Sequence, residues 1–303
     1  DFEAYLNEMK NLYESKAGER GLFSRVAAQK IAARNGRRDA THDFGTNPCS
    51  EIILRSNEFC NLSEVVVRAD DNLETLKKKV RIATIIGTLQ SSLTDFRYLR
   101  VRWKRNTEEE ALLGVSLTGI MDHAVLGDPN NTELAGWLEE MRDVSIETNK
   151  EWAAKLGVNQ SVAITCVKSA SSVVFSFPVK APESSTCVKE VGAMEQLALW
   201  KTYQNHWCEH KPSVTVYYTD SEYLQVAQWI WDNFDMCSGI SLLPTSDHVY
   251  QQAPYEDISA EKYEELVAAM PQNVNWEDLA QFEKEDNTIG SQELACVAGG
   301  CEI

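Results

Sequence analysis

The residues best suited to chemistry cluster near the start of the chain. Asn47, Cys49 and Glu51 alternate within Asn47-Pro48-Cys49-Ser50-Glu51, and Cys60-Asn61-Leu62-Ser63-Glu64 follows. If that stretch is extended, side chains two apart share a face, so an amide, a thiol and a carboxylate point the same way. Such a triplet could bind and deprotonate a hydroxyl beside a reactive sulfur. The alternative is a turn with an incidental cysteine. At the other end, Cys296 and Cys301 are separated by Val-Ala-Gly-Gly, with no bulky residue to stop the loop from closing. Two cysteines in a small-residue tail suit thiol–disulfide exchange with a partner that must be reached, against a bland reading as two surface thiols. A third cluster, His206-Trp207-Cys208-Glu209-His210, would place two histidines one helical turn apart. That is a possible metal pair, but without a second ligand group it reads more simply as packing.

The elements that position these residues can be read from periodicity and caps. Tyr5, Met9 and Tyr13, then Phe23, Val26, Ala27 and Ile31, recur at helical spacing, with Gly18 and Gly21 between the two runs. A loop from Asp39 to Glu51 and short mixed segments follow. Helical periodicity returns over 73–93, 107–123 and 132–156, each after a plausible cap at Asn72, Asn106 or Asn131. Strands are expected at 162–167, 173–177, 213–218 and 240–243, interleaved with helices at 195–207 and 222–234. Strands alternating with helices in this way indicate an α/β fold with parallel neighbours. From Pro271 the chain turns polar, and residues 273–303 read as a flexible tail on a domain spanning 1–272.

Charge and composition narrow the function classes. Lys and Arg number 29 against 46 Asp and Glu, a net charge of −17, and the isoelectric point lies near 4.8. A basic field able to displace counterions from a phosphate backbone is lacking, so direct nucleic-acid binding is not expected. The longest run without a charged residue, Ile82 to Thr94, is well short of the ~20 apolar residues that span a bilayer. No membrane partner is therefore expected. Eight cysteines without a CxxC pair, in so long a chain, argue against a zinc ribbon or a secreted disulfide scaffold and for a cytoplasmic setting. Cys166, Cys187, Cys208 and Cys237 are expected to be buried as small hydrophobes. The chain opens at Asp1 without a Met, which reads as a piece of a longer protein.

Several blocks, in order, resemble one family. They are Asn47-Pro48-Cys49-Ser50-Glu51-Ile52 with Phe59-Cys60-Asn61-Leu62; Gly114 to Asp122; Phe175-Ser176-Phe177-Pro178; His206 to Thr215; Leu243-Pro244-Thr245-Ser246-Asp247-His248; and Gln252-Ala253-Pro254-Tyr255. Together with the Cys49–Cys60 gap and the CxxxxC tail they resemble the monomeric adenosylcobalamin-dependent (class II) ribonucleotide reductases. The resemblance implies a ten-stranded α/β barrel with a finger loop through its centre, of which this chain would be the C-terminal part. It implies adenosylcobalamin as cofactor and a ribonucleotide as substrate. Cys49 would be the fingertip thiyl radical that takes the 3′ hydrogen, Glu51 the base for the 3′ hydroxyl, and Asn47 a partner of the substrate hydroxyls. Cys60 would be one of the pair that reduces the 2′ carbon. Cys296 and Cys301 would be the tail pair that resets it, served by thioredoxin or a similar reductant.

Two departures from the family pattern bear on activity. The partner of Cys60 would lie in an N-terminal half absent from this sequence. After Lys168, where the family continues with a Pro-Ser-Gly-Thr phosphate loop, this chain runs Ser169-Ala170-Ser171-Ser172-Val173. Lys168 and Ser169, with Ser50 of the Cys49 loop, are then the substrate-binding candidates. Two further readings remain: a thiol–disulfide exchange module using the tail pair alone, and a degenerate barrel half that binds its partner half without catalysis.

Overall fold

The computed structural model describes residues 1–16, 21–168, 178, 180–182, 185–186, 190–245 and 258–270. It divides into two compact units, one of Asp1–Val174 with Lys180–Pro254 and one of Phe175–Val179 with Tyr255–Ile303. In the second unit the described element is a helix, Ala260–Ala269, whose Ser259 cap accepts from the Lys262 N–H.

The first unit is α/β. It begins with helix α1 (Phe2–Ser15), strand β1 (Gly21–Leu22) and helix α2 (Arg25–Arg34). A short antiparallel hairpin follows, β2 (Phe44–Thr46) against β3 (Ile53–Arg55), with Phe44 opposite Arg55 and Thr46 opposite Ile53. Strand β4 (Asn61–Val66) then pairs in parallel with β5 (Leu113–Thr118), with Asn61 beside Leu113 and Val66 beside Thr118. Between them run α3 (Leu73–Ser91) and α4 (Val101–Glu110). After α5 (Leu134–Leu156), residues 163–167 run beside β5 through a parallel bridge at Val115 and Thr165, and a second parallel bridge joins Val167 to Pro212. Helix α6 (Ala193–His206), strand β6 (Thr215–Tyr218), helix α7 (Tyr223–Asp232) and strand β7 (Ile240–Pro244) complete the unit. β6 and β7 are parallel, and β1 closes the far edge of β7 in the antiparallel sense. Parallel strands thus succeed one another from β4 to β7 with helices between, as strand–helix alternation requires.

Local chemistry explains most of these boundaries. Asn72 and Thr75 form a reciprocal capping box at the start of α3, and Gly157 in the left-handed region ends α5. The Asn131 side chain accepts from the Glu133 N–H just ahead of α5, whereas Asn106 lies inside α4 and caps nothing. Leu76, Val80 and Ala83 of α3, Leu138 and Met141 of α5, and Tyr203 of α6 meet Val65, Leu113, Val115, Leu117 and Ile164 in the main core. Tyr5, Met9 and Leu12 of α1 join Val226 and Ile230 of α7 over Val216 and Leu242 in a second core.

The helix expected over 107–123 is not there. α4 stops at Glu110, Ala111 turns into the left-handed region, and 113–118 is strand. Leu113, Val115 and Leu117 and the residues between them are almost all buried, because a parallel strand covered on both sides lacks the polar alternation that distinguishes strand from helix. The strand expected at 173–177 and the tail beyond Pro271 lie outside the described residues. Among the described residues the strands form one three-stranded and two two-stranded sheets, and the expected ten-stranded barrel is not seen among them.

Gly114 sits where the hairpin, β4 and β5 converge. A Cβ there would lie 2.4 Å from Leu62 Cδ2, 3.0 Å from Ile52 Cδ1 and 3.3 Å from Cys60 Sγ. Leu62 is exposed and can swing away, but Ile52 is buried and cannot. Gly114→Ala is therefore expected to lower unfolding stability by ~1–3 kcal/mol, the usual cost of overpacking, in a denaturant titration. A change below about 0.5 kcal/mol would show the junction to be looser than described.

Candidate active site

The loop joining β2 to β3 carries Asn47, Cys49, Ser50 and Glu51. It is not extended. The Ser50 N–H donates to the Asn47 carbonyl at 2.9 Å, and Ser50 adopts φ +69°, so the chain reverses between Asn47 and Ser50. The alternation argument for a shared face therefore fails, and the tip is a tight turn. Asn47 closes it further by accepting from the Ile52 N–H through Oδ1 at 3.0 Å.

The turn separates its side chains by depth. Cys49 is half-buried, whereas Glu51 is completely buried. Neither Glu51 carboxylate oxygen has a hydrogen-bond partner among the described residues. Uncompensated burial of a carboxylate is costly, so this group is built to meet something. Cys60, at the entrance to β4, packs with Ile52, Leu112, Ala163 and Cys166 under the turn. Its thiol is pushed well up by burial, and further by the charges of Glu51 and Glu58. Cys60 is thus held as a protonated thiol next to the carboxylate.

Two groups fasten the turn from the segment leading into β6. The Lys211 ammonium donates to Ser50 Oγ at 2.5 Å, and the Ser213 hydroxyl donates to the Cys49 carbonyl. His210 holds the base of the hairpin: its Nδ1 accepts from the Ile53 N–H at 3.3 Å and its Nε2 donates to the Leu113 carbonyl at 2.9 Å. Burial first, and Arg38 second, push this imidazole down to about 3, so it is neutral and its tautomer is set by those two bonds. The metal reading of His206 and His210 fails: α6 ends at His206, which pairs with Glu139 at 2.7 Å. Among the described residues no cluster of His, Cys, Asp or Glu could hold a metal ion.

Beneath the hairpin lies a buried ionic quartet. Arg38 donates to both carboxylate oxygens of Glu110, at 3.1 and 2.5 Å, and to the Ile53 carbonyl at 2.9 Å. Glu58 accepts from the Arg55 N–H at 2.8 Å and from Arg55 Nε at 3.4 Å. All four side chains are nearly inaccessible.

Of the other expected site residues, Lys168 donates its backbone N–H to Ser116 Oγ at 2.9 Å. Ser169, Cys296 and Cys301 lie outside the described residues, as does Cys187. Cys166, Cys208 and Cys237 are buried, as expected. The sequence reading took His210 for a possible metal ligand and passed over the roles of Lys211, Ser213 and the quartet. Arg55, directly after the apolar run Ile52-Ile53-Leu54, was the available signal.

No family model matches the chain. Among curated proteins it is similar to the adenosylcobalamin-dependent ribonucleoside-triphosphate reductase of Euglena gracilis, 23% identical over 317 residues, covering 85% of this chain and 42% of the relative. It is also similar to that of Lactobacillus leichmannii, 24% identical over 343 residues, covering 86% of this chain and 45% of the relative. Among solved structures, a B12-dependent (class II) ribonucleotide reductase superposes with a TM-score of 0.64 at 20% identity, over 93% of this chain and 50% of that one. The chain is thus similar, at low identity, to proteins named as adenosylcobalamin-dependent ribonucleotide reductases. It spans less than half the length of these curated relatives, and the solved reductase confirms the α/β arrangement as a shared fold.

The quartet generates a pH dependence. Glu58 is pushed up to about 8, first by burial and then by the adjacent Glu110 carboxylate. The folded chain therefore keeps a proton on Glu58 that the unfolded chain releases near its ordinary value of 4.5, and stability falls as pH rises from about 4.5 to about 8. Glu58→Gln should remove a loss on the order of 2–4 kcal/mol across that window, measured as the difference between variant and parent in denaturant titrations at successive pH. Parallel pH profiles for the two proteins would contradict it.

Proposed function

We propose that this chain is the C-terminal half of an adenosylcobalamin-dependent ribonucleotide reductase, converting ribonucleotides to 2′-deoxyribonucleotides by a thiyl-radical route. The observation that carries this reading is Glu51: a wholly buried carboxylate whose two oxygens have no hydrogen-bond partner among the described residues, two residues from the half-buried thiol of Cys49 and near that of Cys60, also half-buried. A substrate hydroxyl would supply the missing partner. In support, β4, β5, 163–167, the stretch from Pro212 through β6, and β7 are five parallel strand segments, compatible in number with half of the ten strands that the resemblance implies.

In this reading adenosylcobalamin supplies the initiating radical. The roles below belong to the chain's own side chains. Cys49, as a thiyl, takes the 3′ hydrogen while Glu51 takes the 3′-hydroxyl proton. The Asn47 side-chain oxygen already accepts from the Ile52 N–H, which leaves its amide N–H groups to donate to the ligand's hydroxyls. The 2′ oxygen leaves as water, and two thiols become a disulfide, which balances the two electrons of the reduction. Cys60, kept protonated by burial, is one of those thiols, and its partner comes from the N-terminal half. Cys296 and Cys301, in a tail over 273–303, then reduce that disulfide by exchange and are renewed by thioredoxin or a similar reductant. Ser50, Lys168 and Ser169 contribute to substrate binding.

The test uses this chain with its N-terminal half, adenosylcobalamin and ribonucleoside triphosphate. Cys49→Ala should abolish deoxyribonucleotide formation, whereas Cys296→Ser should spare one turnover and stop repeated turnover with thioredoxin. Deoxyribonucleotide formation by Cys49→Ala, or equal loss of the first turnover in both variants, would overturn the assignment.

A further inference from the structure

Lys211 is a fully buried lysine at a place where the fold has made room for it. A Cβ at Gly239 would fall 1.8 Å from Lys211 Nζ, so the glycine and the lysine occupy one space between them. The Phe23 ring lies 5.4 Å from the ammonium, and the hydrogen bond to Ser50 fixes it under the fingertip. Ser213, two residues on, reaches the same turn through the Cys49 carbonyl, as alternate residues of one segment do. An ammonium buried this way is costly unless a negative charge answers it.

The negative charge is that of Glu51. The ionisable groups that feel the Glu51 carboxylate are Cys60 before β4, Glu64 on β4, Cys166 beside β5, and Lys211. Lys211 is the cation among them. Of the groups near Lys211, Glu51 favours its charged form, whereas burial pushes the Cys237 thiol up to about 12 and keeps it neutral. We infer that Lys211 is a positioning residue for the turn: its ammonium clamps the turn through Ser50 and so sets a positive charge next to Glu51, the residue that follows Ser50 in the chain. This rests on the reading of Glu51 as the base for a substrate hydroxyl. Contact between the two is not required. The Glu51 oxygens stay open to a ligand, because the lysine is spent on Ser50 and acts on the carboxylate through space.

Burial pushes Lys211 down to about 7, while Glu51 pulls the other way. The clamp is therefore charged below neutral pH and lost above it. Two measurements test the inference. In the 303-residue chain labelled with carbon-13 at lysine Cε, nuclear magnetic resonance should show Lys211, assigned by its loss in Lys211→Met, titrating near 7. In Glu51→Gln that midpoint should fall by about one pH unit, as removal of a nearby opposite charge requires. A fall of less than about half a unit, or a midpoint in the ordinary lysine range, overturns the inference. In the chain joined with its N-terminal half, single-turnover reduction should decline as pH rises through about 7, and Lys211→Arg, which keeps its charge, should move the decline upward by at least one unit. Should the arginine not fit beside Gly239, the resonance titration decides alone. Coupling without nucleotide reduction would remove the functional reading and leave Lys211 the counter-charge of Glu51; reduction without coupling would remove the inference alone.

Discussion

The site depends on a buried ionic quartet that the hairpin cannot do without. A two-stranded hairpin of three residues a side is marginal in water, yet this one must hold a thiol and a carboxylate in place. Arg38 precedes it, Arg55 ends it, Glu58 follows it, and Glu110 closes α4 immediately before β5. The bidentate Arg38–Glu110 pair therefore ties the hairpin to the strand system at its base, while the Arg38 bond to the Ile53 carbonyl fixes the register of β3. Such a buried network contributes less net stability than its Coulomb energy suggests, and removing one member strands the others. Its value here is geometric. With the base anchored, the tip is free to use Ser50 in a strained backbone region.

Two kinds of buried charge coexist around the hairpin. The quartet at the base is mutually satisfied and structural. At the tip the carboxylate has no hydrogen-bonding partner and the ammonium of Lys211 is shared with a hydroxyl. Neutral His210 lies between the two and links the hairpin to β5 without adding charge. From base to tip, the buried polar groups thus pass from satisfied hydrogen bonding to a carboxylate left open among the described residues.

Much of the arrangement could be read from the sequence, and the failures have physical causes. The helices α1, α2, α3, α5, α6 and α7 announce themselves through apolar periodicity, and Asn72 marks the start of α3 correctly. β5 was missed because a strand buried on both sides has no polar alternation, so Leu112, Leu113, Val115 and Leu117 fit a helical template equally well. Asn47, Cys49, Glu51 and Cys60 were recognisable as a constellation from type and spacing. The geometry proposed for them was not, because it assumed extended backbone where Ser50 turns left-handed. Depth was the least legible property. Lys211 in a Lys-Pro-Ser stretch looks like a surface residue, and only the packing of Phe23, Gly239 and the fingertip places it inside.

The central claim is that the quartet, through the hairpin it anchors, holds the Asn47–Glu51 turn in place. Native-state hydrogen exchange on Glu110→Ala tests this most directly. The account predicts that amides of the β2–β3 hairpin and its turn lose protection by about tenfold or more, equivalent to ~1.4 kcal/mol or more of local stability, while amides of α5 and α6 change far less. Unchanged protection in the hairpin, or an equal loss throughout the unit, would contradict it.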